Sequence, residues 1–261
     1  MKKYSLAGAY ALAMALSVSA NAQQAPYQAE IQRGTPAPLP AGVAVDCAAV
    51  AGNPFLNCGF ESGDFSDWVV TDLPDPFFDV VVDTAGVTPG FGFFNSAPTQ
   101  GSFAALSGFD GDGPGVIEFA QDVSLPPGAD TLTFDYRAAY QLTFGANLDR
   151  EFRVEVQPSG GGAALASEVI LVAVAGDTVT DTGALNGAVD ISAFANQAVR
   201  VAFVLDVPEG FTGPAFFQLD NVALEIAAEP QVIPTLSRVG LVATAAVLLL
   251  LGALSLRRRK V

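Results

Sequence analysis

The sequence predicts an all-β fold, a two-sheet sandwich, in a chain that is exported and carries one C-terminal transmembrane helix. Three observations predict it. Between Phe55 and Ile226, short apolar–polar alternations are separated by Gly, Pro, Asn and Asp, the pattern of strands bounded by turns. At the N-terminus a short apolar stretch follows two lysines and ends in a cleavage-site pattern. At the C-terminus an uncharged run of 18 residues precedes four cations.

The elements follow in chain order. Lys2 and Lys3 form a positive n-region, residues 6–18 are apolar and Ala-rich, and Ala20-Asn21-Ala22 is a small-x-small cleavage site. Residues 1–22 are therefore expected to be a signal peptide, and no Cys follows to receive a lipid. Residues 23–45, rich in Ala, Pro and Gln and without apolar periodicity, are expected to be a flexible arm. A single sandwich domain is expected over 46–228 and a tail over 229–261.

Within the domain, strands are expected at 78–82, 102–106, 116–123, 132–142, 152–156, 168–174, 199–207 and 216–226. Eight or nine strands at this spacing suit two packed sheets. In 199–207, Val199, Val201, Phe203, Leu205 and Val207 share one face, because successive side chains point to opposite sides of a strand. In 151–155 the same period places Glu151, Arg153 and Glu155 on a solvated face opposite Phe152 and Val154. One helical turn is expected at 191–194, with Asp190 as its cap. Trp68 is expected in the core. Phe91, Phe93 and Phe94 lack strand periodicity and are expected either to cover one end of the sandwich or to form an exposed patch.

Residues 239–256 are long enough to cross the roughly 30 Å apolar core of a bilayer. Arg257, Arg258, Arg259 and Lys260 form a basic anchor that stays in the cytoplasm by the positive-inside rule, so the domain faces out.

Charge narrows the function. Of 12 Lys and Arg residues, seven lie in the targeting segments, leaving five against 27 Asp and Glu. The exported part holds no Lys, so no nucleic-acid partner is expected, since binding phosphates needs clustered cations. The chain has no His, which removes Ser-His-Asp and Cys-His catalysis and His-based zinc sites. A glycosidase built on two carboxylates survives in principle, but no acidic pair stands out, and a non-enzyme is expected. Cys47 and Cys58, the only cysteines, lie in an oxidising compartment. A disulfide is the default, with free thiols or a metal pair as the alternatives.

Two resemblances add to this reading. Ile233, Pro234, Thr235 and Leu236, followed by Ser237, the apolar run and the basic end, resemble the IPTL-CTERM tail, a relative of the PEP-CTERM tails of Gram-negative bacteria. The resemblance implies an exosortase-like membrane transpeptidase as a partner. It implies an inner-membrane intermediate held by the C-terminal helix, N-terminus out and C-terminus in. Cleavage would then deliver the product to the cell surface or extracellular matrix.

The segment 57–68, with Asn57, Phe60-Glu61, Gly63 and Trp68, resembles the opening strand of jelly-roll modules of the galactose-binding type, and Asp220-Asn221-Val222-Ala223-Leu224 resembles their last strand. This resemblance implies a jelly roll and a structural Ca²⁺ on Glu61 and Asp220, with Asp64 as a further ligand. Solvated or hydrogen-bonded strand ends are the alternative for these acids. Asp110-Gly111-Asp112-Gly113 is a weaker Ca²⁺ candidate, since turn chemistry explains it equally well. The expected role is structural or adhesive. The alternative is a carbohydrate-binding module that takes an extracellular polysaccharide.

Overall fold

The structure is a computed structural model that describes residues 46–227. The signal peptide, the arm at 23–45, the motif at 233–237, the helix at 239–256 and the basic end at 257–260 lie outside the described residues. No helix among the described residues is long and apolar enough to cross a membrane.

Eleven strands form: β1 (Val69–Thr71), β2 (Val81–Thr84), β3 (Phe103–Ser107), β4 (Gly115–Ser124), β5 (Ala129–Tyr140), β6 (Arg150–Pro158), β7 (Ala166–Ala173), β8 (Thr180–Asp181), β9 (Leu185–Asp190), β10 (Ala198–Val207) and β11 (Ala215–Ile226). They build two sheets, in the orders β1-β4-β10-β6-β7 and β2-β3-β11-β5-β8, with β9 also on β5. Every pairing is antiparallel. The two-sheet all-β expectation therefore holds.

The sheets meet through their apolar faces. Val199, Val201, Phe203, Leu205 and Val207 of β10 are all buried, with Phe152, Val154 and Val156 of β6 beside them. Leu132, Phe134, Tyr136 and Ala138 of β5 and Phe217 and Leu219 of β11 face them from the other sheet. Phe134 lies 5.0 Å from Phe203 edge-on, and Phe152 lies 4.5 Å from Phe217. Burying each such ring is worth about 1.5–3 kcal/mol, so these rings dominate the contact between layers. Trp68 is in this core as expected, between Phe55, Phe60 and Phe203, and its Nε1 donates to the Asn57 carbonyl at 3.1 Å.

Cys47 and Cys58 form the disulfide. The segment they close is fixed to β11 at a bulge. Asp220 pairs with Asp135 and Ala223 with Thr133, so Asn221 and Val222 bulge out of register, and Asn221 takes φ +54°. The bulge frees Val222 N–H to donate to the Cys58 carbonyl at 2.9 Å, while Asn221 Oδ1 accepts from Cys47 N–H at 2.9 Å. Asn221 and Val222 thus serve the N-terminal segment.

Several elements depart from expectation. β1, β8 and β9 were not expected. β2 begins at Val81 rather than at Phe78, because Phe77 and Phe78 turn onto an outer cluster around Phe216 and Val80 N–H is taken by the Asp72 carboxylate at 3.0 Å. The expected turn is a 3-10 helix at Ser192–Phe194; its N-cap position is Ile191 rather than Asp190, which stands one residue earlier and accepts from Ser192 N–H at 2.9 Å.

Candidate functional site

The outer faces of the two sheets are treated differently. The face of the β2-β3-β11-β5 sheet is covered by a strap, residues 85–102. Alternate outward residues of β11 grip the strap in sequence. Phe216 packs on Phe93 and Phe94, with ring centroids at 5.4 and 5.7 Å. Gln218, fully buried, accepts from Ala97 N–H and donates to the Ala97 carbonyl, both at 2.8 Å. Asp220 accepts from Thr99 N–H at 2.7 Å and Gln100 N–H at 3.1 Å. Arg137 of β5 adds a donation to the Asn95 carbonyl at 3.0 Å and lies 4.9 Å above the Phe94 ring, while its guanidinium pairs with Asp181. The three-phenylalanine loop is therefore a cover, on a sheet face around Phe216 rather than over an end of the sandwich: Phe93 and Phe94 are buried and Phe91 is half-buried against Phe77.

Glu61 and Asp220, expected together, reach the same segment from two sides. Glu61 accepts from Ser102 N–H at 2.9 Å and Phe103 N–H at 3.0 Å, two and three positions past the Gln100 amide held by Asp220. Gly101 is required between them, because a β-carbon there would overlap the Glu61 carboxylate. Asp64 is not brought to this segment. It is exposed and accepts from Ser62 Oγ at 2.7 Å and Ser66 N–H at 2.9 Å, and these bonds hold its carboxyl below the usual range.

Asp220 also faces a second acid. It lies opposite Asp135 in the ladder, and both are buried. Thr99 Oγ1 stands 2.7 Å from Asp135 Oδ2 and 3.0 Å from Asp220 Oδ2. A hydroxyl carries one proton, so it donates to one carboxyl and accepts from the other. Burial pushes the Asp220 carboxyl up to about 7, against the pull of its amide donors.

Gln100 completes this corner. Its buried Oε1 accepts no hydrogen bond. A β-carbon placed on Gly59 would lie 2.7 Å from that oxygen and 3.7 Å from Asp220 Oδ1. An unsatisfied oxygen and a buried carboxyl therefore converge on the Gly59 backbone, at the edge of an open hollow of about 310 Å³ lined by Glu61, Gln100 and the disulfide. The Gln100 oxygen and the Asp220 carboxyl are donors of the kind a hard cation takes, while the Glu61 oxygens are engaged by the Ser102 and Phe103 amides. No group of three or more Cys, Asp or Glu side chains gathers as a metal cluster among the described residues. The loop at 110–113 is built otherwise. Asp110 is fully buried and accepts from Arg150 at 3.1 Å, so a guanidinium stands where a cation was the weaker expectation.

The opposite outer face, that of β1-β4-β10-β6-β7, is bare. Its rows follow from the ladder: Asp122, Arg200 and Gln157; Ala120, Ala202 and Glu155; Glu118, Val204 and Arg153; the exposed Val116, Asp206 and Glu151. None of these outward positions on β4, β10 and β6 is aromatic. Gln157 Nε2 donates to Glu118 at 3.1 Å and Glu155 at 3.0 Å. Its amide thus reaches across Ala120 and Ala202, which are fully buried although they point outward. Arg153 donates to Glu155 at 2.7 Å and Asp206 at 3.4 Å, and Arg200 donates to Asp122 at 2.7 Å. All four arginines among the described residues are in ion pairs. The Glu151-Arg153-Glu155 alternation is as expected, but the contribution of Glu118, Asp122, Gln157, Arg200 and Asp206 was not. The alternation in β4 and β10 carried that signal, and the register joins it to β6.

No protein-family model matches the sequence, and no curated protein is similar to it. Among solved structures, the chain is similar to TmCBM61 in complex with beta-1,4-galactotriose, with 18% identity over 67% of this chain and 98% of that one, at a TM-score of 0.42. It is similar to the K3 cleaved adhesin domain of Lys-gingipain from Porphyromonas gingivalis W83, with 16% identity over 66% and 96% of the two chains, at a TM-score of 0.41. It is also similar to CBM27-1 of Caldicellulosiruptor saccharolyticus in complex with mannohexaose, with 18% identity over 63% and 93%, at a TM-score of 0.38.

Proposed function

We propose that this protein is an exported, non-catalytic adhesive domain that holds a neutral polysaccharide on the bare outer face of its five-stranded sheet. One observation carries the reading. The strap seals one sheet face, while the other presents planar amide, guanidinium and carboxylate groups already fixed by one another. Such groups hydrogen-bond hydroxyl pairs with little ordering cost. The face holds five carboxylates, Glu118, Asp122, Glu151, Glu155 and Asp206, against Arg153 and Arg200, which disfavours uronate polymers and other anions. In this reading the tail at 233–261 is cut by an exosortase-like transpeptidase, and the domain remains at the surface or in the matrix.

The corner at Gly59 is proposed to hold a structural Ca²⁺ on Glu61, Asp220 and Gln100. The unsatisfied Gln100 oxygen and its convergence with Asp220 support it. Bound there, the ion would neutralise the buried carboxyl and fasten the end of the strap.

The test is affinity electrophoresis of the full-length protein in detergent, in gels containing β-1,4-galactan, β-mannan, laminarin or, as the anionic control, alginate. At least one neutral polymer is expected to retard the protein, alginate is not, and Gln157→Ala weakens the retardation. A wild-type protein that passes every neutral gel unretarded overturns the reading.

A further inference from the structure

Four phenylalanines among the described residues take a left-handed backbone: Phe60 (φ +59°), Phe91 (+54°), Phe109 (+36°) and Phe211 (+49°). Such a conformation is costly for a bulky side chain and persists where the surroundings impose it. For three of them packing explains it. Phe60 and Phe109 are fully buried, and Phe91 packs on Phe77 and Phe216. Phe211 is 47% exposed, so core packing offsets nothing there.

The mounting under Phe211 is nonetheless rigid. It sits in the loop 208–214, between β10 and β11, and its N–H donates to the Gly111 carbonyl at 2.8 Å. The next residue, Thr212, accepts at Oγ1 from Arg150 at 2.9 Å, and Arg150 is 1% exposed. Arg150 also donates to the Phe109 carbonyl and to Asp110, so one buried guanidinium joins two loops. Glu209 accepts from Asn147 N–H at 3.0 Å, which ties this loop to the neighbouring one at 141–149, where Leu148 is 54% exposed. A ring held outward by strain on a braced loop is preorganised for contact.

We propose that the tip around Phe211 is a second ligand surface, on which the phenyl ring stacks against the apolar face of a pyranose in a neutral polysaccharide. The proposal rests on the carbohydrate reading above and adds the stacking group that the sheet face lacks. Glu209 lies two residues before Phe211, Asp112 Oδ1 would stand 3.4 Å from a β-carbon on Gly210, and Arg150, which holds the next residue, is buried and ion-paired. The charge of these two acids excludes anionic partners and leaves acceptors for sugar hydroxyls. β11 starts at this tip and ends about 37 Å away at Ile226, since a strand advances about 3.4 Å per residue. The tip is thus the far end of β11 from the point where the chain runs on to its C-terminal apolar segment.

The test uses the same gels with full-length Phe211→Gly and Phe211→Leu. Glycine removes the ring and relieves the left-handed backbone, so this variant is expected to melt no lower than wild type. Leucine keeps an apolar side chain without a ring. Both are expected to weaken binding to the retarding polymer roughly tenfold, the scale of one aromatic contact. Full affinity in both variants, with Gln157→Ala still defective, overturns the tip and leaves the carbohydrate reading standing. No retardation of the wild type by any neutral polymer overturns both.

Discussion

Gln218 offers a direct measure of what holds the strap. Gln218→Leu keeps the side-chain volume in a fully buried position and removes both 2.8 Å hydrogen bonds to Ala97. The Ala97 N–H and C=O are then left facing a hydrocarbon. Each lost hydrogen bond of this kind costs about 1–1.5 kcal/mol, because the strap is only half-buried and water compensates in part, giving roughly 2–3 kcal/mol for the pair. For a domain of this size each kcal/mol shifts the melting midpoint by about 2–4 °C, so a fall of roughly 4–12 °C is expected. Calorimetry of the full-length protein reads the midpoint, and hydrogen exchange reads its origin. Peptides covering 85–100 should exchange faster while those covering β10 stay protected, since β10 lies in the other sheet. A shift below about 1 °C with unchanged exchange in 85–100 would refute the idea that Gln218 staples the strap. Gln218→Glu sharpens the test. It keeps the acceptor for Ala97 N–H but turns a carboxylate toward the Ala97 carbonyl, so at neutral pH it should destabilise more than leucine does.

Three further outcomes are expected. Replacing Cys47 and Cys58 together by Ala opens a loop of sequence separation 11 and should cost about 3 kcal/mol by loop entropy, read as a lower denaturant midpoint. An unchanged midpoint would mean that the bulge contacts alone hold the segment. Asp110 is raised from 3.8 to about 6, with burial outweighing the nearby Arg150, so the folded state holds its proton more tightly than the unfolded chain. Its contribution to stability should therefore fall by up to roughly 3 kcal/mol as pH rises from about 4 to 6 and level off above, and Asp110→Asn should remove this share in denaturant titrations while leaving the separate fall that Asp220, raised to about 7, adds up to that pH. If Ca²⁺ occupies the Gly59 corner, the ion at about 100 times its dissociation constant should raise stability by roughly 2.7 kcal/mol over chelator. Glu61→Ala should abolish the gain, and identical melting with ion and chelator counts against the site.

The parts of the fold that were legible in the sequence obey a local rule. β10 announces itself because five apolar residues at period two leave no other reading. β9 does not, because Asn186-Gly187 has the form of a turn. Gly187 stands in a strand since a β-carbon there would overlap the Phe134 ring, a constraint set by a residue far away in sequence. The same division runs through the candidate sites. Glu61 and Asp220 could be named from the residues around them, but the segment they hold was invisible, because they bind backbone amides that any sequence supplies. The Glu151-Arg153-Glu155 face was legible within one strand. Its completion by Gln157 and Glu118 depends on the register of β6, β10 and β4 and on two alanines small enough to be spanned. The Phe91-Phe93-Phe94 loop could be read as a cover, yet which face it covers is decided by Phe216, on a strand formed much later in the chain.

The central place of β11 has a mechanical consequence. The strand lies between β3 and β5 and is hydrogen-bonded to both, and its bulge also receives the disulfide-closed segment. A pull at Ile226 against a grip on the 141–149 loop, which leaves β5 where Tyr140 pairs with Ala215 at the opposite end of the sheet, acts along the strand axis. The ladder between β11 and β5 is then sheared, and its hydrogen bonds resist together. The same force applied across the four-residue β2 at the sheet edge would peel its bonds one after another. A molecule moored by the end of β11 would therefore withstand greater tension than one held through the edge strand β2. Single-molecule extension should show higher rupture forces for attachment through the end of β11 than for attachment through β2.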